Sequence, residues 1–338
     1  MAGKDRRSKG SFLVLVSSFT LVLASCQATS HDDPWHAEQV QNGYSALPMA
    51  TATFYPLYDA VNRILGNDFV DGQLVSANLG WVLNFVGDGE PHDFDPSDPQ
   101  KMMLAQSSFA IVSLGTNFDG WSADIDTVGK RILASQGAGL LDQDGNPYDE
   151  YRSSSDPHVW LSPRRMVKLL DRIYDGIEES YPNREKVPQL YENYLAYRDE
   201  LQSLDRAFTQ ELAPFSGHLL VTSHEAFTYL CQDYGLEQLG IGDFADNIPG
   251  PDKLANLEDE ILDRGVKTIY VESLDSHSGV DTIIEDIQLR TAGRLRIEKA
   301  TLSALEQVPY DELIAGEDYL STMLDNLDEL VKNLGREI

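Results

Sequence analysis

The sequence predicts an α/β protein of two lobes, each a parallel-type sheet covered by helices, joined by one long connecting helix. Two observations predict this fold class. Short apolar runs alternate with helical patterns in both halves of the chain, and one long amphipathic pattern separates the halves. Repeated βαβα order is typical of parallel sheets covered by helices. We therefore expect ligands at loops that follow the carboxyl ends of the strands.

The first lobe is predicted for residues 47–182, where apolar runs and helical spacing alternate. We expect strands at residues 49–55, near 74–77 and at 109–114, and helices at residues 57–65 and 164–180.

The connecting helix is predicted for residues 183–214, from apolar side chains spaced three or four positions apart. Asn183 can cap its start, Pro188 suits its first turn and Pro214 stops it. The apolar stripe consists of Leu190, Tyr194, Tyr197, Leu201, Leu204 and Phe208. From Pro188 to Leu212 such a helix spans roughly 37 Å, enough to reach from one lobe to the other. A stiff connector of this kind predicts small lobe movements.

The second lobe is predicted for residues 215–338, where the same alternation resumes. We expect strands at residues 218–222 and 267–272, and helices at residues 225–234 and 319–334.

The amino terminus predicts export and a lipid anchor. Basic residues precede an uncharged apolar stretch, which ends in Leu23-Ala24-Ser25-Cys26. This ending resembles the bacterial lipobox, in which the cysteine is acylated and the peptide is cut before it. We expect a lipoprotein signal peptide at residues 1–25, palmitate-type acylation of Cys26, a flexible tether at residues 26–46, and a protein held at the extracytoplasmic face of the cell membrane. A non-lipidated signal with an incidental cysteine is the alternative.

Charge and cysteine content restrict the function classes. The chain has 26 basic and 55 acidic residues, a net charge of −29, and such a field repels nucleic acid. With Cys26 acylated, Cys231 is the one remaining cysteine, so a disulfide within the chain is excluded. We expect Cys231 to be a buried, inert thiol on a helix.

Four segments carry candidate ligands. His92 lies in a loop rich in glycine and proline, His158 stands between prolines before a helix, and His224 follows an apolar strand. Glu272 ends a further apolar strand. A lone loop histidine is usually only hydrogen-bonded, but imidazole and carboxylate together suit a cation such as zinc, and four such ligands can close a tetrahedron. The spacing matches no compact metal motif, so the fold must supply the geometry.

These segments resemble the cluster A-I (cluster 9) metal-binding lipoproteins of ABC importers. The resemblance covers nearly the whole chain after Cys26. It rests on the Glu-Pro-His, Asp-Pro-His-Val-Trp-Leu and His-Glu-Ala-Phe-Thr-Tyr-Leu segments, and on residues 53–59, 233–236 and 318–320. It implies that His92 and His158 of the first lobe and His224 and Glu272 of the second bind a metal ion in the interlobe cleft.

The same resemblance implies a function. We expect an extracellular, high-affinity zinc-binding protein, monomeric, that delivers Zn²⁺ to an ABC permease and its ATPase. A histidine at the position of His224 goes with zinc importers, whereas manganese or iron importers tend to have glutamate there, and Glu225 is adjacent. We expect Glu225 instead to favour the helix start electrostatically. Mn²⁺ is therefore the alternative cargo. The histidine-rich loop that many zinc members carry between the first two ligands is missing.

Two other function classes, a zinc hydrolase and a surface adhesin, predict features that can be looked for in the sequence. A zinc hydrolase needs an open coordination position, which four protein ligands would close. The sequence also has neither a His-Glu-x-x-His pattern nor a Gly-x-Ser-x-Gly elbow, so we expect no enzyme. A surface adhesin stays open as the other class, although no exposed repeat supports it.

Several neighbouring residues have alternative roles. His31, His36 and His277 could assist metal capture, although a solvated or loop role is the simpler alternative for each. His218 is expected to be structural. Asp95 and Asp156 are placed to orient imidazoles, with helix capping as the alternative.

Overall fold

The computed structural model describes most of the chain beyond the predicted tether. The described residues are 47–70, 73–87, 89, 91, 94–141, 147–148, 156–242, 250–272, 278–306, 308, 312 and 315–336. Among them, no helix combines the length and the apolar character needed to cross a membrane. The candidate lipidation and metal-binding residues outside the described residues are Cys26, His31, His36, His92 and His277.

The first half of the chain forms a parallel sheet with helices packed against it. Its elements are β1 (Met49–Ala52), α1 (Tyr55–Leu65), β2 (Asp68–Val70), β3 (Gln73–Ser76), β4 (Trp81–Asn84), α2 (Pro99–Ser107), β5 (Ala110–Ser113), β6 (Lys130–Leu133), β7 (Leu140–Leu141), β8 (Pro147–Tyr148) and α3 (Pro163–Ser180). The sheet order is β4–β1–β5–β6, and all three pairings are parallel. Strands β1, β4 and β5 are buried along their whole length, as expected where helices cover both faces.

The second half repeats this arrangement. Its elements are α4 (Val187–Leu212), β9 (Leu219–Thr222), α5 (Thr228–Tyr234), β10 (Glu237–Gly240), α6 (Pro251–Arg264), β11 (Thr268–Val271), α7 (Ser278–Arg290), β12 (Glu298–Thr301) and α8 (Tyr319–Leu334). The sheet order is β10–β9–β11–β12, again with parallel pairings. Two parallel sheets flanked by helices confirm the predicted α/β class. The lobe boundaries near residues 182 and 214 stay a prediction.

The long connecting helix is present as α4. Most of its predicted apolar stripe is buried, and Tyr194 is half-buried. Asn183, expected to cap this helix, instead accepts the backbone N–H of Glu185 at 3.1 Å and caps a short 3₁₀ turn, Arg184–Lys186, that precedes α4. The turn lets the chain leave α3 before α4 begins at Val187.

Two local predictions differ from the structure. The strand expected near residues 74–77 is β3, which pairs with β2 in an antiparallel hairpin and not in the parallel sheet. The helix expected from residue 225 begins only at Thr228, because residues 223–227 form a loop at the end of β9. Glu225 therefore lies outside the helix that it was expected to favour.

The main apolar core joins both halves of the chain. Buried side chains from α1, α3, α4 and α8 belong to one continuous cluster. Trp160 is completely buried in it, with its ring centre 4.8 Å from that of Phe54 and 5.3 Å from that of Phe118. This core fixes the segment that carries His158.

Candidate metal centre

His158 is held by Asp156, two residues earlier. The Asp156 Oδ1 atom accepts the backbone N–H of His158 at 2.9 Å and lies 2.8 Å from the ring Nδ1. The hydroxyl of Tyr229 donates to the backbone oxygen of Asp156 at 2.6 Å, which ties this turn to α5. Asp156 thus makes the ring contact expected from the sequence. His158 is completely buried, and its ring orientation is fixed.

His224 lies in the loop that follows β9. The N–H of Ser223 donates to the carbonyl of Tyr270 at 2.8 Å, and the N–H of Gly242 donates to the carbonyl of Ser223 at 2.8 Å. The hydroxyl of Thr222 donates to the carbonyl of His224 at 2.6 Å. The loop is therefore fastened to the neighbouring strand β11 and to the end of β10.

Glu306 reaches the same place from the segment beyond β12. Its Oε1 lies 2.9 Å from Nε2 of His158, although 148 positions separate the two residues. The same oxygen lies 4.0 Å from Nε2 of His224. Glu306 as a whole is 9% exposed, so it is largely withdrawn from bulk water.

These three side chains form a compact cluster. One ligand atom from each of His158, His224 and Glu306 lies within 4.8 Å of the others. The two imidazole centres are 5.3 Å apart. Two imidazoles and one carboxylate around a common centre are a donor set that zinc accepts, and a fourth ligand would complete a tetrahedron.

Glu272, the carboxylate ligand predicted from the sequence, contacts the other face of the cluster. Its Oε1 is paired with Nδ1 of His224, so Glu272 lies on the side of the ring away from Glu306. An acceptor on one imidazole nitrogen orients the ring and leaves the other nitrogen available for metal.

The electrostatics of the cluster favour protonated imidazoles in the absence of metal. Burial lowers the pKa of His158, but the hydrogen bonds to Asp156 and Glu306 outweigh burial and raise it to about 10. Burial likewise opposes the charge on His224, and the contact with Glu272 raises its pKa above the usual range. A bound cation would replace these protons.

The remaining candidates among the described residues have other surroundings. Burial raises the pKa of the Cys231 thiol, as expected for an inert side chain on α5. The Nδ1 atom of His218 lies 2.9 Å from the carbonyl of Phe215, a local contact that suits a structural role. Asp95 is exposed.

Sequence reasoning missed Glu306. It follows β12, an edge strand with the sequence Glu-Lys-Ala-Thr, which has no apolar run and was not predicted. Had β12 been identified, its position beside β11 would have put residues after Thr301 at the same sheet edge as Glu272.

Comparisons with known proteins identify a family. A family model described as "Zinc-uptake complex component A periplasmic" matches residues 51–333. Zinc-binding protein AdcA of Streptococcus pyogenes serotype M3 is 31% identical over an alignment of 300 residues that covers 82% of this chain and 54% of that protein. The chain therefore spans about half the length of the curated streptococcal relatives that it matches. The high-affinity zinc uptake system protein ZnuA of Bacillus subtilis is 26% identical over 96% of this chain and 98% of its own.

Solved structures agree on the architecture. The Zn(II)-bound ZnuA-like domain of AdcA from Streptococcus pneumoniae matches with a TM-score of 0.66 and 28% identity, over 85% of this chain and 99% of that chain. The periplasmic zinc-binding protein TroA from Treponema pallidum matches with a TM-score of 0.68, over 85% of this chain and 99% of that chain. At 19% identity the second match supports the fold alone.

Proposed function

The chain belongs to the zinc-uptake complex component A family, and we propose that it captures Zn²⁺ outside the cytoplasm and delivers it to an ABC permease and its ATPase. The family serves zinc uptake and is not a family of enzymes, so zinc is the cargo. One observation carries the proposal: His158, His224 and Glu306, from distant parts of the chain, converge within 4.8 Å.

The proposed ligands are Nε2 of His158, Nε2 of His224 and the carboxylate of Glu306, together with His92. Support for His92 comes from its Glu-Pro-His segment, because the residue itself lies outside the described residues. Glu272 was predicted as the carboxylate ligand, but its contact with Nδ1 of His224 supports a different role. We assign it the orientation of that ring.

Zinc is proposed over manganese as the preferred cargo. Imidazole donors favour zinc over manganese in the usual order of divalent affinities. A buried, closely spaced site also denies manganese the oxygen-rich octahedron that it prefers. We expect about one zinc per chain, bound much more tightly than manganese.

Competition with a chromogenic chelator tests the ligand assignment, with the metal content of the purified protein measured by elemental mass spectrometry. His158→Ala, His224→Ala and Glu306→Gln should each weaken zinc binding by orders of magnitude, and Glu272→Gln by roughly 10- to 100-fold. His218→Ala is the matched control, since the imidazole of His218 contacts the backbone carbonyl and the ring of Phe215. If His158→Ala and His224→Ala bound zinc like the wild type, the assigned centre would be wrong.

We also propose that the mature chain is a monomeric lipoprotein anchored through Cys26. The Leu23-Ala24-Ser25-Cys26 sequence supports the lipid anchor, as does the description of the pneumococcal relative as "Zinc-binding lipoprotein AdcA". One acyl chain binds a bilayer only marginally, so stable anchoring needs two.

Cys26→Ser should move the protein from the membrane to the soluble fraction, with unchanged zinc affinity. An unmodified amino terminus elsewhere in the native protein would refute the anchor.

A further inference from the structure

The segment that carries Glu306 is buried without belonging to a helix or strand. Leu302, Ala304 and Leu305 are nearly inaccessible to solvent. Leu305 has a φ angle of 55°, a left-handed conformation that is costly for a residue with a branched side chain. Such a conformation persists only when its surroundings impose it. The hydrogen bonds that hold this segment therefore also fix the position of the Glu306 carboxylate.

Asn326 of α8 supplies the main restraint. Its Oδ1 accepts the backbone N–H of Ser303 at 2.8 Å, and its Nδ2 donates to the carbonyl of the same residue at 2.9 Å. One side-chain amide thus satisfies both backbone groups of Ser303, as a neighbouring strand would. Asn326 is only 3% exposed, so water cannot readily substitute for these bonds.

Two further hydrogen bonds extend the restraint to Glu306. The Ser303 hydroxyl oxygen accepts the N–H of Leu305 at 3.2 Å. The indole N–H of Trp160 donates to the carbonyl of Ala304 at 2.8 Å. Trp160 lies two residues after His158 in the sequence. The Glu306 segment is therefore attached to α8 on one side and to the His158 segment on the other.

We infer that Asn326 is a positioning residue for the zinc-binding carboxylate: it holds residues 303–305 so that Glu306 faces His158 and His224. The inference rests on the proposed function, in which Glu306 is a ligand. Asn326 acts through Glu306 and does not touch the metal.

Asn333 offers a matched control on the same helix. It is also 3% exposed and hydrogen-bonded, but its Nδ2 donates to the carbonyl of Glu329 at 2.8 Å, within α8. Replacing either asparagine by alanine removes a buried amide from α8. Only the change at Asn326 releases the Glu306 segment.

The experiment measures zinc affinity by chelator competition and the absorption spectrum of the Co²⁺-loaded protein. Asn326→Ala should weaken zinc binding about 10- to 100-fold, as removal of supporting contacts around a metal ligand generally does. It should also shift the Co²⁺ bands in the direction seen for Glu306→Gln. Asn333→Ala should keep the wild-type affinity and spectrum, although both alanine variants lower the melting temperature. In the Glu306→Gln background, Asn326→Ala should cause no further loss of affinity.

The outcomes separate the inference from the proposed function. Equal zinc affinities for Asn326→Ala and Asn333→Ala, or an additive loss in the double variant, would overturn the positioning role. Wild-type zinc binding by Glu306→Gln would instead refute Glu306 as a ligand. If Asn326→Ala does not fold, Asn326→Asp keeps the acceptor for the backbone N–H of Ser303 and loses the donor to its carbonyl. It should still weaken zinc binding several-fold, with no further loss in the Glu306→Gln background. Wild-type affinity in Asn326→Asp would then overturn the inference.

Discussion

His158 lies between two carboxylates, those of Asp156 and Glu306, with His224 as its other titratable neighbour. A histidine pKa raised to about 10 in the folded state makes the bound proton a stabilising feature of the metal-free protein. That stabilisation is complete below the unfolded pKa of about 6.5 and is lost as the pH rises towards 10.

We therefore expect the free energy of unfolding of metal-free protein to fall from roughly pH 7 to pH 10 through this group. Urea titrations across that range would measure it. His158→Gln should have a shallower decline, because it has no proton to lose. Parallel profiles for the two proteins would contradict the raised pKa.

A second residue-scale prediction concerns Gly240, at the end of β10. A Cβ atom there would lie 2.2 Å from Cγ of Glu225 and 2.6 Å from the carbonyl of Gly242. Gly240→Ala must displace the loop that carries His224, so we expect a loss of about 1–3 kcal/mol in stability and weaker zinc binding. Gly250→Ala is the control, since its Cβ would meet no atom within 4 Å among the described residues. Chelator competition and urea unfolding would compare them, and equal affinities would refute the steric argument.

The sequence predicted two members of the candidate cluster, His158 and His224. His158 and His224 follow recognisable apolar or proline-bounded segments, so their loops could be located. Their mutual distance depends on the packing of both halves, which spacing does not reveal. Glu306 was not predicted, because its position depends on the left-handed backbone of Leu305 and on the hydrogen bonds of Asn326. Neither feature produces a recognisable pattern in the local sequence.

At the scale of elements, the predictions were best where a helix has a strong apolar stripe. Helix α8 occupies the predicted range, and α3 and α4 begin one and four residues from the predicted positions. The strands β10 and β12 were missed because they lie at sheet edges and have mostly polar residues. An edge strand is held by backbone hydrogen bonds to one neighbouring strand. These bonds do not require apolar side chains, so the strand need not show an apolar pattern in the sequence.

The start of α8 is a junction between distant elements. Asp318 accepts the backbone N–H of Ser321 at 2.8 Å in a capping box, and it also pairs with Arg63 of α1. The hydroxyl of Tyr319 donates to the carbonyl of Trp160 at 2.6 Å. The position of α8 is thus set by α1 and by the His158 segment.

This junction predicts a graded response to substitution. Asp318→Asn keeps a capping oxygen and loses the charge that pairs with Arg63, whereas Asp318→Ala loses both. We expect Asp318→Ala to lower the free energy of unfolding by about 1–2 kcal/mol, and Asp318→Asn by less. Urea unfolding would rank the variants, and equal losses would show that capping contributes little.

At the scale of the whole molecule, both halves are joined close to the proposed metal centre. Arg165 of α3 forms a bidentate pair with Asp233 of α5, at 2.7 and 3.0 Å, and its guanidinium lies 4.6 Å from the ring centre of Tyr229. Helix α4 runs without interruption from Val187 to Leu212. These features support the prediction of small lobe movements.

Zinc should stabilise the entire fold. Its proposed ligands lie far apart in sequence, so the unfolded chain has no comparable site, and a metal bound only to the native state adds about 4 kcal/mol at a free concentration 1,000 times its Kd. We expect a zinc-dependent rise in melting temperature that is much smaller with manganese. His158→Ala should lose most of the rise. An undiminished rise in that variant would contradict a shared site.

The junction at α8 has a consequence for the export proposed above. Asn326 contacts the Glu306 segment and Tyr319 contacts the His158 segment. If the chain is exported amino terminus first, we therefore expect it to have no complete zinc site until these residues have followed. We expect partly exported chains to bind zinc weakly and to acquire the full affinity late, once α8 has packed. Refolding followed by hydrogen exchange would test this. Zinc uptake should coincide with the slowest phase in which the amides of α8 become protected. Zinc uptake before that phase would contradict the dependence of the site on α8.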